Sequence, residues 1–284
     1  FRPKILWTDN TWVGGVWAIF RRLIGSVCFI YDNRDWVALD SKQSFFSWVA
    51  NNVVWARLDY FVTVSSDLQI NYTEKIRLMR NQFFGKEVTQ NLVLYNNPFP
   101  IKIAKEAEDG HKDNICFVGQ VREDSGLELL IPLLPKLYAA HGIKLKIIGP
   151  TTEYQRKPHK NKIKALVKDG GFEKYVHFYE WIDSEEKFHN TIKDCFCGVS
   201  LFTNESSYSA MAIPGKVSVY LQMAIPLVAT RGNGVFTEVI GKYRLGFVVN
   251  PNSDEIMDSI INLYNHQTFF STNIRNYAKK YKGK

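Results

Sequence analysis

The residues best suited to chemistry lie in loops that directly follow short apolar runs in the part of the chain after residue 113. Glycine lets the backbone approach a ligand closely, and Arg or Lys can neutralise a phosphate. Ordinary turn composition explains any one of these loops, but it explains the whole set poorly. The loops therefore predict a cleft for an anionic, phosphate-bearing ligand. Its candidate residues are Gly119, Gln120, Arg122, Glu205, Ser207, Tyr208, Pro214, Lys216, Gly232 and Gly234.

A second candidate group follows the run FIYD at residues 29–32, where Asp32 and Asp35 flank Arg34. A positioned carboxylate can orient a hydroxyl group or accept its proton as a general base. The same two carboxylates can instead cap a turn or pair with Arg34. We predict a catalytic role for these three residues and keep the turn as the alternative.

Neither the cysteines nor the histidines have the spacing of a metal site. Cys195 and Cys197 are separated by one residue, whereas a zinc site typically uses C-x-x-C. The six histidines show no H-x-H or H-x-x-x-H pair. We expect Cys28, Cys116, Cys195 and Cys197 to be buried and reduced, and we expect no metal ion.

The elements that must position these residues alternate along the chain. Short apolar, β-rich runs are separated by segments of helical periodicity, which is typical of parallel sheets with helices on both faces. In such sheets a ligand binds at the carboxyl ends of the strands. Strands are predicted at 4–9, 26–32, 60–65 and 91–96, and then at 114–119, 144–149, 176–181, 196–202, 225–230 and 245–249. Helices are predicted at 12–23, 43–57 and 67–80, and then at 126–140, 159–169, 184–193, 214–223, 235–241, 253–265 and 268–281.

Length and charge narrow the class of protein. The 284 residues exceed the usual single-domain length, and NNPFP at 96–100 has the composition of a linker. The net charge of +8 favours an anionic partner, but no zinc finger, RNP pattern or heptad-backed basic region indicates nucleic acid. Without a signal peptide or an apolar run of about 18 residues, the sequence predicts a cytoplasmic protein.

Several segments together resemble the family 4 type of GT-B glycosyltransferases. FVGQVREDSGLELLIPLLPKL, IKLKIIGP, the run from VHFYEW to GVSLF, and PGKVSVYLQMAIPLVATRGNGVFTEVI follow the order of that family's carboxyl-terminal domain over residues 114–265. FIYDNRDW, YFVTVSSDLQINY and NLVLYNNP resemble segments of its amino-terminal domain. The resemblance implies an α/β protein with two Rossmann-like domains whose parallel sheets face each other across a cleft.

The resemblance also implies a division of the chain. We expect an amino-terminal, acceptor-side domain at 1–98 that is shortened or truncated, and a nucleotide-sugar-binding domain at 99–267. A terminal helix at 268–284 is expected to cross back to the first domain, with Phe269, Phe270, Tyr277 and Tyr281 at roughly helical spacing.

Some positions depart from the family pattern. The basic pair that the family commonly places after the first strand of its second domain corresponds here to Gln120 and Ser125, and only Arg122 carries charge. The paired glutamates of the family correspond to Met211 and Val219. The segment PGK retains Lys216, and Tyr220 matches the family's tyrosine. On the acceptor side Arg34 replaces a frequent histidine.

The activity implied is that of a metal-independent hexosyltransferase. It would move a sugar from a nucleotide diphosphate sugar of the UDP or GDP type, used as co-substrate without further cofactor, to a hydroxyl of a saccharide or lipid-linked glycan. The stretch VWAIFRRLIG at 16–25 adds a peripheral, anionic membrane surface as an expected partner. The alternatives are a degenerate relative that binds nucleotide sugars as a scaffold, favoured by the lost glutamates, and a nucleotide-sugar epimerase.

Overall fold

The computed structural model describes residues 4–24, 27–33, 45–85, 90–93, 110–122, 124–149, 157–203, 214–231 and 236–281. The chain divides into two compact units. The described residues of the first unit lie within Phe1–Asn96, and those of the second lie within Asn97–Glu205 and Pro214–Lys284. Each unit carries its own parallel sheet.

Within the described residues, the sheet of the first unit has four strands in the order β1-β2-β3-β4. The strands are β1 (Ile5–Thr8), β2 (Cys28–Asn33), β3 (Leu68–Asn71) and β4 (Asn91–Val93). The helices are α1 (Thr11–Ile24), α2 (Phe45–Val49), a π-helical stretch (Ala50–Trp55), α3 (Ala56–Ser65) and α4 (Glu74–Phe84). Leu6, Phe29, Tyr31 and Val62 form the core between this sheet and its helices.

The strand predicted at residues 60–65 is wrong, because these residues belong to α3. Ala56, Asp59, Val62 and Thr63 are the buried residues of this helix, and their spacing of three or four residues has helical periodicity. The prediction had followed the aromatic and β-branched composition of YFVTVS, but tertiary contacts override such propensities. The third strand is instead the run LQIN, which had been predicted as the start of a helix.

The sheet of the second unit has six strands in the order β10-β9-β8-β5-β6-β7. They are β5 (Asn114–Val118), β6 (Lys144–Ile148), β7 (Val176–Tyr179), β8 (Cys195–Ser200), β9 (Leu227–Thr230) and β10 (Gly246–Val249). The helices are α5 (Leu127–Leu130), a 3₁₀ turn (Ile131–Leu133), α6 (Leu134–His141), α7 (Lys157–Asp169), α8 (Glu185–Ile192), α9 (Gly215–Gln222), α10 (Phe236–Tyr243), α11 (Ser253–Asn265) and α12 (Gln267–Tyr281).

Helix α12 packs on α10 and α11 inside the second unit. The ring of Phe270 lies 5.3 Å from that of Phe247, and the ring of Tyr277 lies 4.8 Å from that of Tyr243. These two aromatic side chains, on which the predicted contact with the amino-terminal half partly rested, therefore pack within the second unit. A return of the terminal helix to the first domain stays a prediction.

The four cysteines are free thiols. Cys116, Cys195 and Cys197 are buried in β5 and β8, as predicted. Cys28 is exposed at the start of β2, so the prediction that it is buried is wrong. The alternation of exposed and buried residues at the start of β2 turns Cys28 to the outside and Phe29 to the core.

Candidate functional site

The candidate site lies where the order of the strands reverses in the second sheet. From β5 the chain continues to β6 and β7 on one side, whereas β8, β9 and β10 lie on the other side. At such a switch point the loops at the carboxyl ends of the two central strands diverge and leave a crevice. The loops after β5 and β8 and the start of α9 are therefore the elements that can hold a ligand.

Two glycines bring the backbone close together at this edge. Gly119 directly follows β5 and has φ +120°, a conformation that favours glycine. A Cβ on Gly149, after β6, would lie 2.1 Å from the carbonyl oxygen of Gly119. A Cβ on Gly119 would lie 3.8 Å from Cε of Lys216. The structure thus brings together Gly119 and Lys216, two residues that the sequence had assigned to one site.

Lys216 is held between two aromatic rings. Its Nζ lies 4.0 Å from the ring centroid of Phe117 and 5.6 Å from that of Phe202. An ammonium over an aromatic face is attracted by the negative charge of the ring. Burial is the main cause that lowers the pKa of Lys216 to about 8; Asp124 acts against this shift and Arg122 adds to it. Lys216 is therefore a cation that gives up its proton more readily than a surface lysine.

Arg122 is held by its own loop. Its Nε lies 2.9 Å from Oδ1 of Asp124, and its backbone N–H donates to the Ser125 hydroxyl over 2.7 Å. The carbonyl of Asp124 accepts a hydrogen bond from the backbone N–H of Thr203, which follows β8. The loop after β5 is thereby fixed to the chain after β8. Because Asp124 already pairs with Arg122, Lys216 is the stronger source of positive charge for an anion.

The amino-terminal end of α9 is directed to the same edge. Pro214 precedes the helix with φ −62°, and it provides no side-chain cap for the first N–H groups. Proline is suited to this position because it presets the backbone angle and has no N–H to satisfy. The Val217 N–H donates to the Pro214 carbonyl over 2.9 Å, and the N–H groups before it, together with the positive end of the helix dipole, favour an anion beside Lys216.

Tyr220 joins the two central strands behind this site through hydrogen bonds of its hydroxyl group. Its hydroxyl accepts a hydrogen bond from the Val118 N–H over 2.9 Å and lies 3.1 Å and 3.2 Å from the carbonyl oxygens of Val199 and Cys116. The tyrosine thus satisfies backbone groups beyond the last paired residues of β5 and β8. A Cβ on Gly198 would lie 2.5 Å from the ring, so only glycine leaves room for it.

In the first unit, Asp32 lies near the end of β2 and is buried. The residues beside it, Tyr31 and Asn33, point to the other face of the sheet and donate hydrogen bonds to Asp59. Asp59 is also paired with Arg80 at 2.7 Å, with both side chains fully buried. This network fixes the carboxyl end of β2, which is the end that would carry an acceptor-side residue.

Seven of the predicted site residues lie outside the described residues, namely Arg34, Asp35, Glu205, Ser207, Tyr208, Gly232 and Gly234. Gln120, which is exposed, follows Gly119 in the loop after β5. Sequence reasoning gave no role to Asp124 or to the rings of Phe117 and Phe202. The spacing of Arg122 and Asp124 in one loop was a usable signal for their ion pair. The contact of two distant aromatic residues with Lys216 had no comparable signal.

Two further properties concern the described residues as a whole. They contain no group of three His, Cys, Asp or Glu side chains that could hold a metal ion. Among them, no helix combines the length and apolar character that crossing a bilayer requires.

Comparison with known proteins places these features in context. The family model for glycosyl transferases group 1 matches residues 98–281. No curated protein matches the chain at a significant level.

Three solved structures share the fold at low sequence identity. HepE of Anabaena in complex with UDP is 14% identical with a TM-score of 0.73, and the match covers 98% of this chain and 74% of that one. Sucrose-phosphate synthase of Thermosynechococcus elongatus is 13% identical with a TM-score of 0.70, covering 98% and 69%. TarM of S. aureus, in complex with fondaparinux, alpha-GlcNAc-glycerol and UDP, is 16% identical with a TM-score of 0.69, covering 99% and 54%.

Proposed function

Because the chain belongs to the glycosyl transferases group 1, which transfer a sugar from a nucleotide donor, we propose that it is a hexosyltransferase with its donor site at Lys216. The observation that carries this proposal is the position of Lys216, between two aromatic rings and at the start of α9. The donor is a UDP or GDP sugar, and HepE and TarM are solved in complex with UDP.

The chemistry requires stabilisation of the leaving diphosphate. Negative charge builds on the diphosphate as the glycosidic bond breaks, and groups already positioned there lower the barrier. Lys216, the N–H groups of α9 and the backbone at Gly119 provide such groups, with Arg122 as a second cation. We propose that these groups do the work without a metal ion or another cofactor.

The acceptor is a hydroxyl of a saccharide or a lipid-linked glycan in polysaccharide biosynthesis. We assign its activation to Asp32, near the end of β2, with Arg34 and Asp35 as the further candidates. The buried network at Asp59 and Arg80 supports this assignment, because it holds the carboxyl end of β2 in place.

The first experiment is a binding panel. UDP, GDP and ADP are titrated against the full chain by calorimetry, and one of them is expected to bind. Lys216→Met should weaken that binding by about 1.5–3 kcal/mol, the range of a charge-assisted hydrogen bond. Lys136→Met, which removes an exposed lysine of α6, is the matched control and should leave the affinity unchanged. Failure of all three nucleotides to bind would contradict the donor site.

The second experiment separates the enzyme from a binding subunit. Release of the nucleoside diphosphate from the matching hexose donor is followed with a glycan or polyprenyl-linked acceptor, with and without a chelator. Turnover that resists the chelator is the expected result. Tight binding without turnover or donor hydrolysis would favour the scaffold alternative. That alternative is supported by Val219 of α9, a partly buried residue that stands where the family has a glutamate.

We further propose that the protein associates peripherally with the cytoplasmic face of a membrane. Trp12, Val16, Ile19, Phe20 and Leu23 are exposed, and their spacing places them on one face of α1. Such a face can enter the headgroup region of a bilayer. Arg21, which the sequence had assigned to the headgroups, instead pairs with Asp67 at 2.5 Å, so attraction to anionic lipid would rest on the overall charge.

Vesicle sedimentation tests this association. Binding to anionic vesicles should exceed binding to neutral ones, and Leu23→Asp should reduce it. Leu78→Asp, at an exposed leucine of α4, is the matched control and should have no effect. Equal partitioning to both vesicle types would contradict the electrostatic part, and equal loss in both variants would contradict the role of α1.

A further inference from the structure

A cavity of about 580 Å³ opens in the second unit at the amino ends of the central strands. It is lined by Lys112 before β5, by Cys195 and Phe196 at the start of β8, and by Pro226 before β9. Because these strands are parallel, their amino ends lie at the edge of the sheet opposite to Lys216. The cavity is therefore separate from the candidate donor site.

One face of α12 supplies the polar wall of this cavity. Thr268, Ser271, Thr272 and Arg275 line it, and their spacing of three, one and three residues places them on one side of the helix. Thr268 and Thr272 carry hydroxyl groups on this side and Arg275 a guanidinium, whereas the Ser271 hydroxyl donates to the Thr268 carbonyl of the same helix. Hydroxyls and guanidinium groups are donors that suit the oxygens of a phosphate.

The second cation is Lys112, whose backbone is held by the side chain of Gln267. This side chain forms two hydrogen bonds with it, as the backbone of a neighbouring strand would. Oε1 of Gln267 accepts a hydrogen bond from the Lys112 N–H over 3.1 Å, and Nε2 of Gln267 donates to the Lys112 carbonyl over 2.7 Å. The ring of His111 packs at 4.4 Å against that of Tyr264. The backbone that carries the lysine is thereby held at the start of α12.

The charged side chains that line the described part of the cavity are of one sign. Among the described residues that line it, Lys112, Arg275 and His111 are basic and none is acidic. The pKa of Lys112 is lowered mainly by burial and further by Arg275, whereas Asp194 opposes this shift. Asp194 is itself paired with Lys146 at 2.7 Å. Two cations that share a partly buried space repel each other, and an anion bound between them would relieve that repulsion.

We propose that this cavity is a second anion site, which binds the phosphomonoester group of a small ligand. The phosphate lies between Lys112 and the polar face of α12. Phe196, Met223, Ala224 and Pro226 form an apolar wall for the uncharged part of the ligand. The volume falls within the range of about 300–1,000 Å³ that is usual for small-molecule pockets. Inorganic phosphate is the minimal ligand, and a hexose monophosphate is the fuller one.

Calorimetry with the full chain tests the proposal, with inorganic phosphate and a hexose monophosphate as probes and the unphosphorylated hexose as the blank. Both phosphates are expected to bind, and Lys112→Met should weaken each at least tenfold. The surface control Lys136→Met should change neither affinity by more than twofold. Absence of binding, or a loss caused by Lys216→Met and not by Lys112→Met, would overturn the proposal.

Hydrogen exchange on the unaltered chain gives a readout that does not depend on a variant folding. Added phosphate should protect residues 110–112 and the amino-terminal half of α12, and protection confined to 119–126 would overturn the assignment. Tighter binding of the hexose monophosphate than of inorganic phosphate supports the apolar wall as part of the site. Equal affinities would overturn that part. Because neither experiment uses a nucleotide sugar, failure here leaves the proposed transferase activity unaffected.

Discussion

Raising the pH from 7 to 9 will weaken the binding of a nucleoside diphosphate about tenfold if Lys216 is the donor-site cation. In the free protein the pKa of Lys216 is about 8. The lysine is then roughly nine-tenths protonated at pH 7 and one-tenth protonated at pH 9. A bound diphosphate raises this pKa, since an opposite charge favours the ammonium form. The affinity therefore follows the protonated fraction of the free protein, and the loss is about 1.4 kcal/mol.

The assay is calorimetry with UDP, or with GDP if that nucleotide binds, at five pH values and in two buffers that differ in ionisation enthalpy. The terminal phosphate of the ligand loses its second proton near pH 6, so its charge stays nearly constant over this interval. The number of protons taken up on binding should rise from roughly 0.1 at pH 7 to roughly 0.9 at pH 9.

Two variants provide the control. Lys216→Arg keeps its charge throughout this interval and should bind with little dependence on pH, because a guanidinium does not titrate there. Lys216→Met should be weak and equally insensitive. The reasoning is refuted if the unaltered protein binds equally well at pH 7 and pH 9, or if Lys216→Met retains the full pH dependence.

Three other predictions concern the framework around the site. Tyr220→Phe removes the acceptor of a buried β5 N–H and should lower the free energy of unfolding by about 1–3 kcal/mol in urea titrations; an unchanged midpoint would mean that water replaces the hydroxyl. Arg80→Met leaves the Asp59 carboxylate buried without its cation and should cost about 3–5 kcal/mol, whereas adding Asp59→Asn should recover part of that loss. Gly119→Ala should strain the backbone by about 1–3 kcal/mol and also weaken nucleotide binding, while Gly142→Ala, at an open position that also has a positive φ, should cost stability alone.

The second unit could be predicted closely from the sequence. Its strands and helices begin and end within two residues of the predicted bounds. Strands buried on both faces, such as CFCGVS in β8, appear as continuous apolar runs bounded by turn residues. The short first unit gave a weaker signal, and the β-branched composition of YFVTVS outweighed the helical spacing of its buried residues.

Only the glycine and the cations of the candidate site could be predicted from the sequence. Gly119, Arg122 and Lys216 were found because glycines and cations follow predicted strands. The hydrogen bonds of the Tyr220 hydroxyl to β5 and β8 could not be found. They depend on where the two strands stop pairing, and that register is set by tertiary contacts. The contact of Lys216 with Phe117 and Phe202 likewise could not be found, because these residues are distant in sequence and meet only in the folded chain.

The hydrogen bonds between Gln267 and Lys112 have a consequence for the order in which the chain folds. They join residues 155 positions apart, at the entry to the first strand of the second sheet. During synthesis, β5 to β10 leave the ribosome before the residue that fixes the start of β5. Contacts of such long sequence separation slow folding, because closing the loop costs entropy before the contact is gained. The second unit therefore completes its folding only after α12 has emerged, and a nascent chain that lacks this helix should be held longer by chaperones.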